Sequence, residues 1–219
     1  MQKSHLPSIL RALVAALLFG ASAPLAKLLL GEVEPIPLAA FLYLGSGLGL
    51  LVVKLFQRRQ PAGVQTEAQL VRADLGWLAG ALLAGGVAAP IVLLFSLKST
   101  PAATASLLLN FEGVATTLIA FFIFKESISR RAWWAIALIT TASILLSLNF
   151  NAEWGISLGT VGIIAACVLW GLDNNFTRNI SAKDPLVIVT LKGLGAGSFS
   201  LVLALILGAS FPSWKVVLG

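Results

Sequence analysis

Residues 99–131 read STPAATASLLLNFEGVATTLIAFFIFKESISRR, and Glu112 lies at the middle of their apolar part. The 24 residues from Pro101 to Phe124, as a helix rising about 1.5 Å per residue, can cross a hydrocarbon core of roughly 30 Å. An ionised carboxylate at that depth costs at least about 2.5 kcal/mol. We therefore expect Glu112 to face protein or a water-filled cavity rather than lipid.

Helical periodicity divides the side chains of this run between two faces. One face is small and polar, with Glu112 at its border, and consists of Ala103, Ser106, Asn110, Gly113, Thr117 and Ala120. The opposite face is bulky and consists of Leu107, Leu108, Phe111, Leu118, Ile119 and Phe122. A small polar face suits neighbouring helices or a solute, and a bulky face suits lipid. The structural alternative is that Glu112 only neutralises a fixed cation or bonds a backbone group.

The composition is that of an integral membrane protein. Hydrophobic residues make up 58% of the chain, charged residues only 11%, and the mean hydropathy is +0.95, whereas soluble domains carry about 25% charged residues. The long apolar runs lack the alternation of barrel strands and predict helices. The net charge of +6 comes from bases at helix ends and does not predict a nucleic-acid partner. No enzyme motif, cofactor site or metal-ligand set is evident, so we expect no enzyme.

Seven apolar segments predict a helical bundle. They cover about residues 9–30, 36–56, 75–97, 101–124, 132–148, 154–176 and 185–207. We expect Pro24 to kink the first helix and Pro90, following Gly85 and Gly86, to interrupt the third. Such mid-membrane interruptions expose backbone groups to a cavity in transporters, although a plain packing kink is the alternative.

Polar residues also enter the last two helices. Asp173, Asn174 and Asn175 lie near the end of the sixth helix, and the two amides are candidate solute ligands. Lys192 lies about 10 Å into the seventh helix, at a depth similar to that of Asp173. We expect these two side chains to form an intramembrane charge pair, with a merely structural pair or a snorkelling lysine as the alternative.

The basic residues favour one orientation. With the N-terminus inside, 11 lysines and arginines fall on the inner side and three on the outer side. The positive-inside rule then predicts a cytoplasmic N-terminus.

The chain resembles itself at a spacing of about 150 residues. Glu34-Pro35 matches Asp184-Pro185, Gly45 and Gly47 match Gly195 and Gly197, and Phe19-Gly20 matches Trp170-Gly171. Five helices fill one repeat, so the second copy must be inverted in the membrane. We expect residues 1–150 to form a first five-helix repeat and residues 151–219 to begin a second, incomplete one. About seven of ten helices would then be present, in a truncated or partial sequence.

These residues resemble a known family. The segments Gly85–Pro90, Ser99–Val114 and Phe124-Lys125-Glu126 are similar to those of the EamA-type proteins of the drug/metabolite transporter superfamily, and Leu169-Trp170-Gly171 resembles the start of a second copy. The resemblance implies a ten-helix carrier in the inner membrane that moves small metabolites or drug-like solutes, often outward, by alternating access. It also implies that helices 1, 3, 4 and 6 line the cavity.

Two classes of function follow. In the first, Glu112, with Ser106 and Asn110, lines the cavity of an efflux carrier and binds a cationic group of the solute or a coupling proton. In the second, the chain is a non-transporting fragment or a helical assembly component. The residues do not separate amino acids, amines, nucleobases and drug-like cations, or export from import. The GxxxG spacing permits a homodimer as readily as contacts within one bundle.

Overall fold

A computed structural model describes residues 6–57, 68–147 and 157–212. Within these ranges the chain forms seven helices: α1 Leu6–Leu29, α2 Pro35–Gln57, α3 Arg72–Ser99, α4 Ala102–Phe122, α5 Arg130–Ser147, α6 Leu158–Arg178 and α7 Pro185–Ile206. The prediction of an all-α membrane bundle is confirmed. The boundary at residue 150 lies outside the described residues.

Six of the helices are long and apolar enough to cross a membrane. The exception is α5, an 18-residue helix whose first turn carries Arg130 and Arg131. Its apolar part within the described residues is therefore shorter than that of the other helices. Helix α1 is continuous through Pro24, so the kink at that position stays a prediction.

The core lies where α6 packs against α3 and α4. Its largest buried side chains include Leu94 and Leu97 of α3, and Ile163 and Cys167 of α6. α3 and α4 are joined only by Thr100 and Pro101 and form the antiparallel hairpin that the short connection predicts. The middle parts of α3, α4 and α6 therefore lie next to one another.

Helix α1 packs on this core with Ala23 and Ala26 and is also held there by one cation. The Nζ of Lys27 donates hydrogen bonds to the carbonyls of Leu97 and Thr100, the second at 2.7 Å. These carbonyls end α3, and a cation there satisfies acceptors that the helix leaves unpaired. The contact fixes the end of α1 against the α3–α4 turn.

Helices α2 and α7 cross as an antiparallel pair. At one end Lys54 Nζ lies 3.7 Å from Asp184 Oδ2, and at the other the rings of Phe41 and Phe211 are 6.3 Å apart. Between them the backbones touch, because a Cβ on Gly193 would lie 2.7 Å from the Cα of Gly47. Two glycines are therefore required for this close approach.

The end of the bundle that holds Lys54 and Asp184 carries a set of ion pairs. They join the α6–α7 turn to the first half of the chain: Lys54 with Asp184, Lys183 with Asp74 at 3.1 Å, and Arg178 with Glu126. We call this the base-rich end. It is the end that the charge count assigns to the cytoplasm, an assignment that stays a prediction.

Replacing Gly47 by Leu should destabilise the fold, because the new side chain would overlap the backbone of Gly193 and Leu194. Overpacking of this kind typically costs about 1–3 kcal/mol. The midpoint of thermal unfolding in detergent should fall. Gly49→Leu is the matched control, since a Cβ there meets nothing within 4 Å; an equal fall in both variants would contradict the close contact.

Candidate functional site

Glu112 lies beside a tightened turn within α4. The helical segments Ala102–Leu108 and Phe111–Phe122 are joined by a turn at Leu109 and Asn110, whose backbone angles stay in the α-helical region. The amide of Asn110 donates to the carbonyl of Leu107 at 3.0 Å, a local bond by which asparagine competes with helical pairing. The N–H groups of Asn110 and Glu112 bond the carbonyls of Leu107 and Leu109, so α4 tightens here without ending.

A polar contact joins Glu112 to α6. The Nδ2 of Asn174 donates to Glu112 Oε1 at 2.9 Å and to Thr116 Oγ1 at 3.1 Å. Glu112 and Thr116 are half-buried, and Asn174 is exposed. The amide orients the carboxylate without neutralising it. The structure thus brings together two predicted site residues, Glu112 and Asn174, and adds Thr116.

The other predicted ligands lie in different surroundings. Asn175 is buried, and its Nδ2 donates to the carbonyls of Gly171 at 2.7 Å and Thr116 at 3.0 Å, so its amide joins α4 to α6. Ser106 Oγ is buried without a hydrogen-bond partner among the described residues. No hydrogen bond in this part of the chain connects Ser106 or Asn110 to Glu112.

Asp173 and Lys192 form an ion pair between α6 and α7. Their side chains are 9% and 16% exposed. Thr177 Oγ1, one turn after Asp173, donates to Asp173 Oδ1 at 2.9 Å and lies 3.4 Å from Lys192 Nζ. The pair balances two charges inside the bundle, and the Asp173 carboxylate has two partners, Lys192 and Thr177.

Helix α3 changes its hydrogen-bond register beside this pair. Residues Leu82–Ala88 form a π-helix, in which the N–H of Ala89 bonds the carbonyl of Ala84. Continuing that register, Pro90 would have to donate to Gly85, but proline has no N–H. The Gly85 carbonyl instead accepts the hydroxyl of Tyr43 at 2.7 Å and the indole N–H of Trp170 at 3.0 Å. The interruption at Pro90 thus leaves a carbonyl that α2 and α6 satisfy.

Gly85 also makes room for the ion pair. A Cβ at this position would overlap the carboxylate of Asp173. The π-helical segment, Tyr43, Trp170 and the Asp173–Lys192 pair therefore form one polar centre. The sequence signals for it were the Gly85-Gly86 and Pro90 pattern and the single tyrosine of the chain, but neither Tyr43 nor Trp170 was predicted to take part.

Metal chemistry has no evident ligand set here. Among the residues that the structure describes, no group of three or more histidine, cysteine, aspartate or glutamate side chains could hold a metal ion. The arrangement offers instead an oriented carboxylate, amides, hydroxyls and aromatic side chains between membrane-spanning helices. In ligand pockets, groups of these kinds fix the orientation of the bound molecule.

The fold and this centre define a multi-pass, α-helical membrane protein with polar groups inside its bundle. The model of the EamA-like transporter family matches residues 6–148. The chain belongs to that family. A crystal structure with 18% sequence identity shares the fold, with a TM-score of 0.64 over 94% of this chain and 69% of that chain.

Sequence relatives agree with this assignment. An uncharacterized transporter of Methanothermobacter thermautotrophicus is 28% identical over 207 residues, which are 90% of this chain and 60% of the relative. The chain therefore spans less than two thirds of that relative's length. A probable 4-amino-4-deoxy-L-arabinose-phosphoundecaprenol flippase subunit, ArnE, of Pseudomonas fluorescens is 36% identical over 83 residues, 38% of this chain and 72% of that protein. Its counterpart from Pectobacterium atrosepticum is 38% identical over 79 residues, 36% and 69% of the two chains.

Removing one member of the buried ion pair should be costly, because the other charge stays buried without a partner. We expect Asp173→Asn and Lys192→Met each to lower the free energy of unfolding by about 3–5 kcal/mol. The double variant should recover much of this loss. Thermal unfolding of all three in detergent tests the pair; a double variant less stable than both singles would contradict it.

Either Tyr43 or Trp170 alone should be enough to satisfy the carbonyl of Gly85. Tyr43→Phe or Trp170→Phe alone leaves the carbonyl one hydrogen bond, whereas the double variant leaves it none. An unpaired buried carbonyl costs about 1–3 kcal/mol, so the loss in the double variant should exceed the sum of the single losses by about that amount. A double-mutant cycle of unfolding free energies measures the excess. Strict additivity would argue against a shared acceptor.

Proposed function

We propose that the protein is a carrier that exports a small, positively charged metabolite or drug-like solute across the inner membrane by alternating access, with Glu112 as the solute ligand. The observation that carries the proposal is the state of this carboxylate. Asp74, Glu126, Asp173 and Asp184 each have a basic partner, but no basic side chain lies within 4 Å of Glu112 in the described part of the chain. The structural alternative, a fixed cation beside Glu112, thus has no support there.

The surroundings of Glu112 suit a cation. Asn174 orients the Glu112 carboxylate with a hydrogen bond of 2.9 Å, and the hydroxyl of Thr116 lies on the same amide. Tyr43 and Trp170 are half-buried on neighbouring helices, and aromatic faces attract cations. Asn175 has a packing role instead, because its amide donates to two backbone carbonyls.

We further infer that the two repeats are inverted copies. Gly47 of α2 contacts Leu194 of α7, and Gly197 of α7 contacts Leu44 of α2. A shift of 150 residues converts each contact into the other. Since α2 and α7 run antiparallel, the shift relates segments of opposite orientation. This supports a first repeat in residues 1–150 and the start of a second in 151–219, the architecture that alternating access uses.

Proton coupling is a second use of the same carboxylate. Glu112 would then release its proton when the solute binds, so that the two compete for one site. The carboxylate has room for this exchange because it holds no permanent cation. The likeness to ArnE flippase subunits favours an alternative candidate, a subunit that works only with another membrane chain.

Glu112→Gln in the complete protein should abolish transport of a cationic solute into everted vesicles. Glu32→Gln is the matched control, because Glu32 is exposed in the turn between α1 and α2. Both pH-driven uptake and solute–solute exchange at equal pH should be measured. Loss of both supports solute binding at Glu112. Exchange that persists while pH-driven uptake is lost would restrict Glu112 to the proton, and unchanged uptake would remove it from the mechanism.

A further inference from the structure

A groove opens between α2 and α7 at the base-rich end. Its volume is about 210 Å³, and its lining consists of Leu51, Lys54, Leu55, Val187, Thr190, Leu191 and Leu194. Leu55 and Leu191 are 53% and 43% exposed, so the groove faces outward from the bundle. Within the described part of the chain, no other side chain covers this surface. The lining of the groove includes neither Glu112 nor any residue of the polar centre.

Lys54 is the charged residue of this groove. It lies in the last turn of α2, and its Nζ is 3.7 Å from Asp184 Oδ2, which is longer than a hydrogen bond. The carboxylate of Asp184 is already engaged, because its Oδ1 accepts the N–H groups of Leu186 and Val187 at the start of α7. The ammonium group of Lys54 therefore keeps donors for another acceptor.

The repeat provides an internal comparison. A shift of 150 residues moves Lys54 to Ala204 and Leu191 to Phe41. At that opposite end of the α2–α7 pair, the ring of Phe41 packs on the ring of Phe211. The open groove and its base are thus features of the base-rich end and not products of the repeat.

We propose that this groove binds one anionic phospholipid, with an acyl chain along the five aliphatic side chains and the phosphate on Lys54. The apolar lining suits a hydrocarbon chain, and the ammonium group of Lys54, which is only loosely paired with Asp184, suits a negative headgroup. Basic pockets between membrane helices bind lipid head groups in this way.

The test is lipid binding by the complete protein, measured by native mass spectrometry in detergent. Phosphatidylglycerol should bind in preference to phosphatidylcholine with the same chains, and Lys54→Gln should lower that preference about fivefold, the effect of about 1 kcal/mol. Lys98→Gln, an exposed lysine at the end of α3, is the control and should leave the preference unchanged. Asp184→Asn keeps an oxygen for the start of α7 but frees Lys54, so the preference should hold or rise.

A second pair of variants tests the chain-binding part. Leu191→Trp should fill the groove and lower phosphatidylglycerol binding, whereas Leu205→Trp, on the exposed surface of the same helix, should not. Inorganic phosphate at equal concentration should not compete. Three results would overturn the proposal: no preference for the anionic lipid, a loss in Asp184→Asn as large as in Lys54→Gln, or displacement of the lipid by free phosphate.

Discussion

The bilayer offers no water to a polar group, and the Gly85 carbonyl shows how this constraint organises the bundle. Pro90 removes the donor that this carbonyl would otherwise have, and Tyr43 and Trp170 replace it. Because these donors belong to α2 and α6, their hydrogen bonds to Gly85 hold those two helices against α3. The close packing of Asp173 on Gly85 then sets the ion pair with Lys192. One missing N–H thus accounts for the meeting of four helices.

Acidic side chains inside the bundle also need partners, and Glu112 lacks a basic partner in the contacts described here. The buried carboxylate of Asp173 has a lysine and a hydroxyl as partners, as a charge in low dielectric requires. Glu112 has an amide that orients its carboxylate and a hydroxyl nearby, but no basic partner within the described residues. The lack of a basic partner within the described residues distinguishes Glu112 from the paired acids of the same bundle.

The sequence predicted the features that depend on one helix at a time. Apolar length predicted the helices, and depth along α6 and α7 predicted that Asp173 and Lys192 could meet. It did not predict the contacts that depend on how neighbouring helices are placed against one another. The π-helical turn before Pro90 arises because proline and packing act together, and the partners of the freed carbonyl come from residues 43 and 170, far away in the chain. Asn174 and Asn175 are neighbours in sequence, yet their side chains point to a carboxylate and to backbone, a difference that helical rotation of about 100° creates.

The two copies of the repeat share the glycines of their close contact but differ in the polar residues of α6. The glycines of the α2–α7 contact recur at a spacing of 150 residues, since both copies need the same close approach. The acid and amides of α6 do not recur: with Phe19-Gly20 aligned to Trp170-Gly171, Asp173, Asn174 and Asn175 correspond to Ser22, Ala23 and Pro24 of α1. Packing symmetry alone would not require polar residues in one copy and small residues in the other. In α6, Asp173 pairs with Lys192 and Asn174 bonds Glu112, whereas the matching positions of α1 carry no acid and no amide, so these contacts belong to one copy of the repeat only.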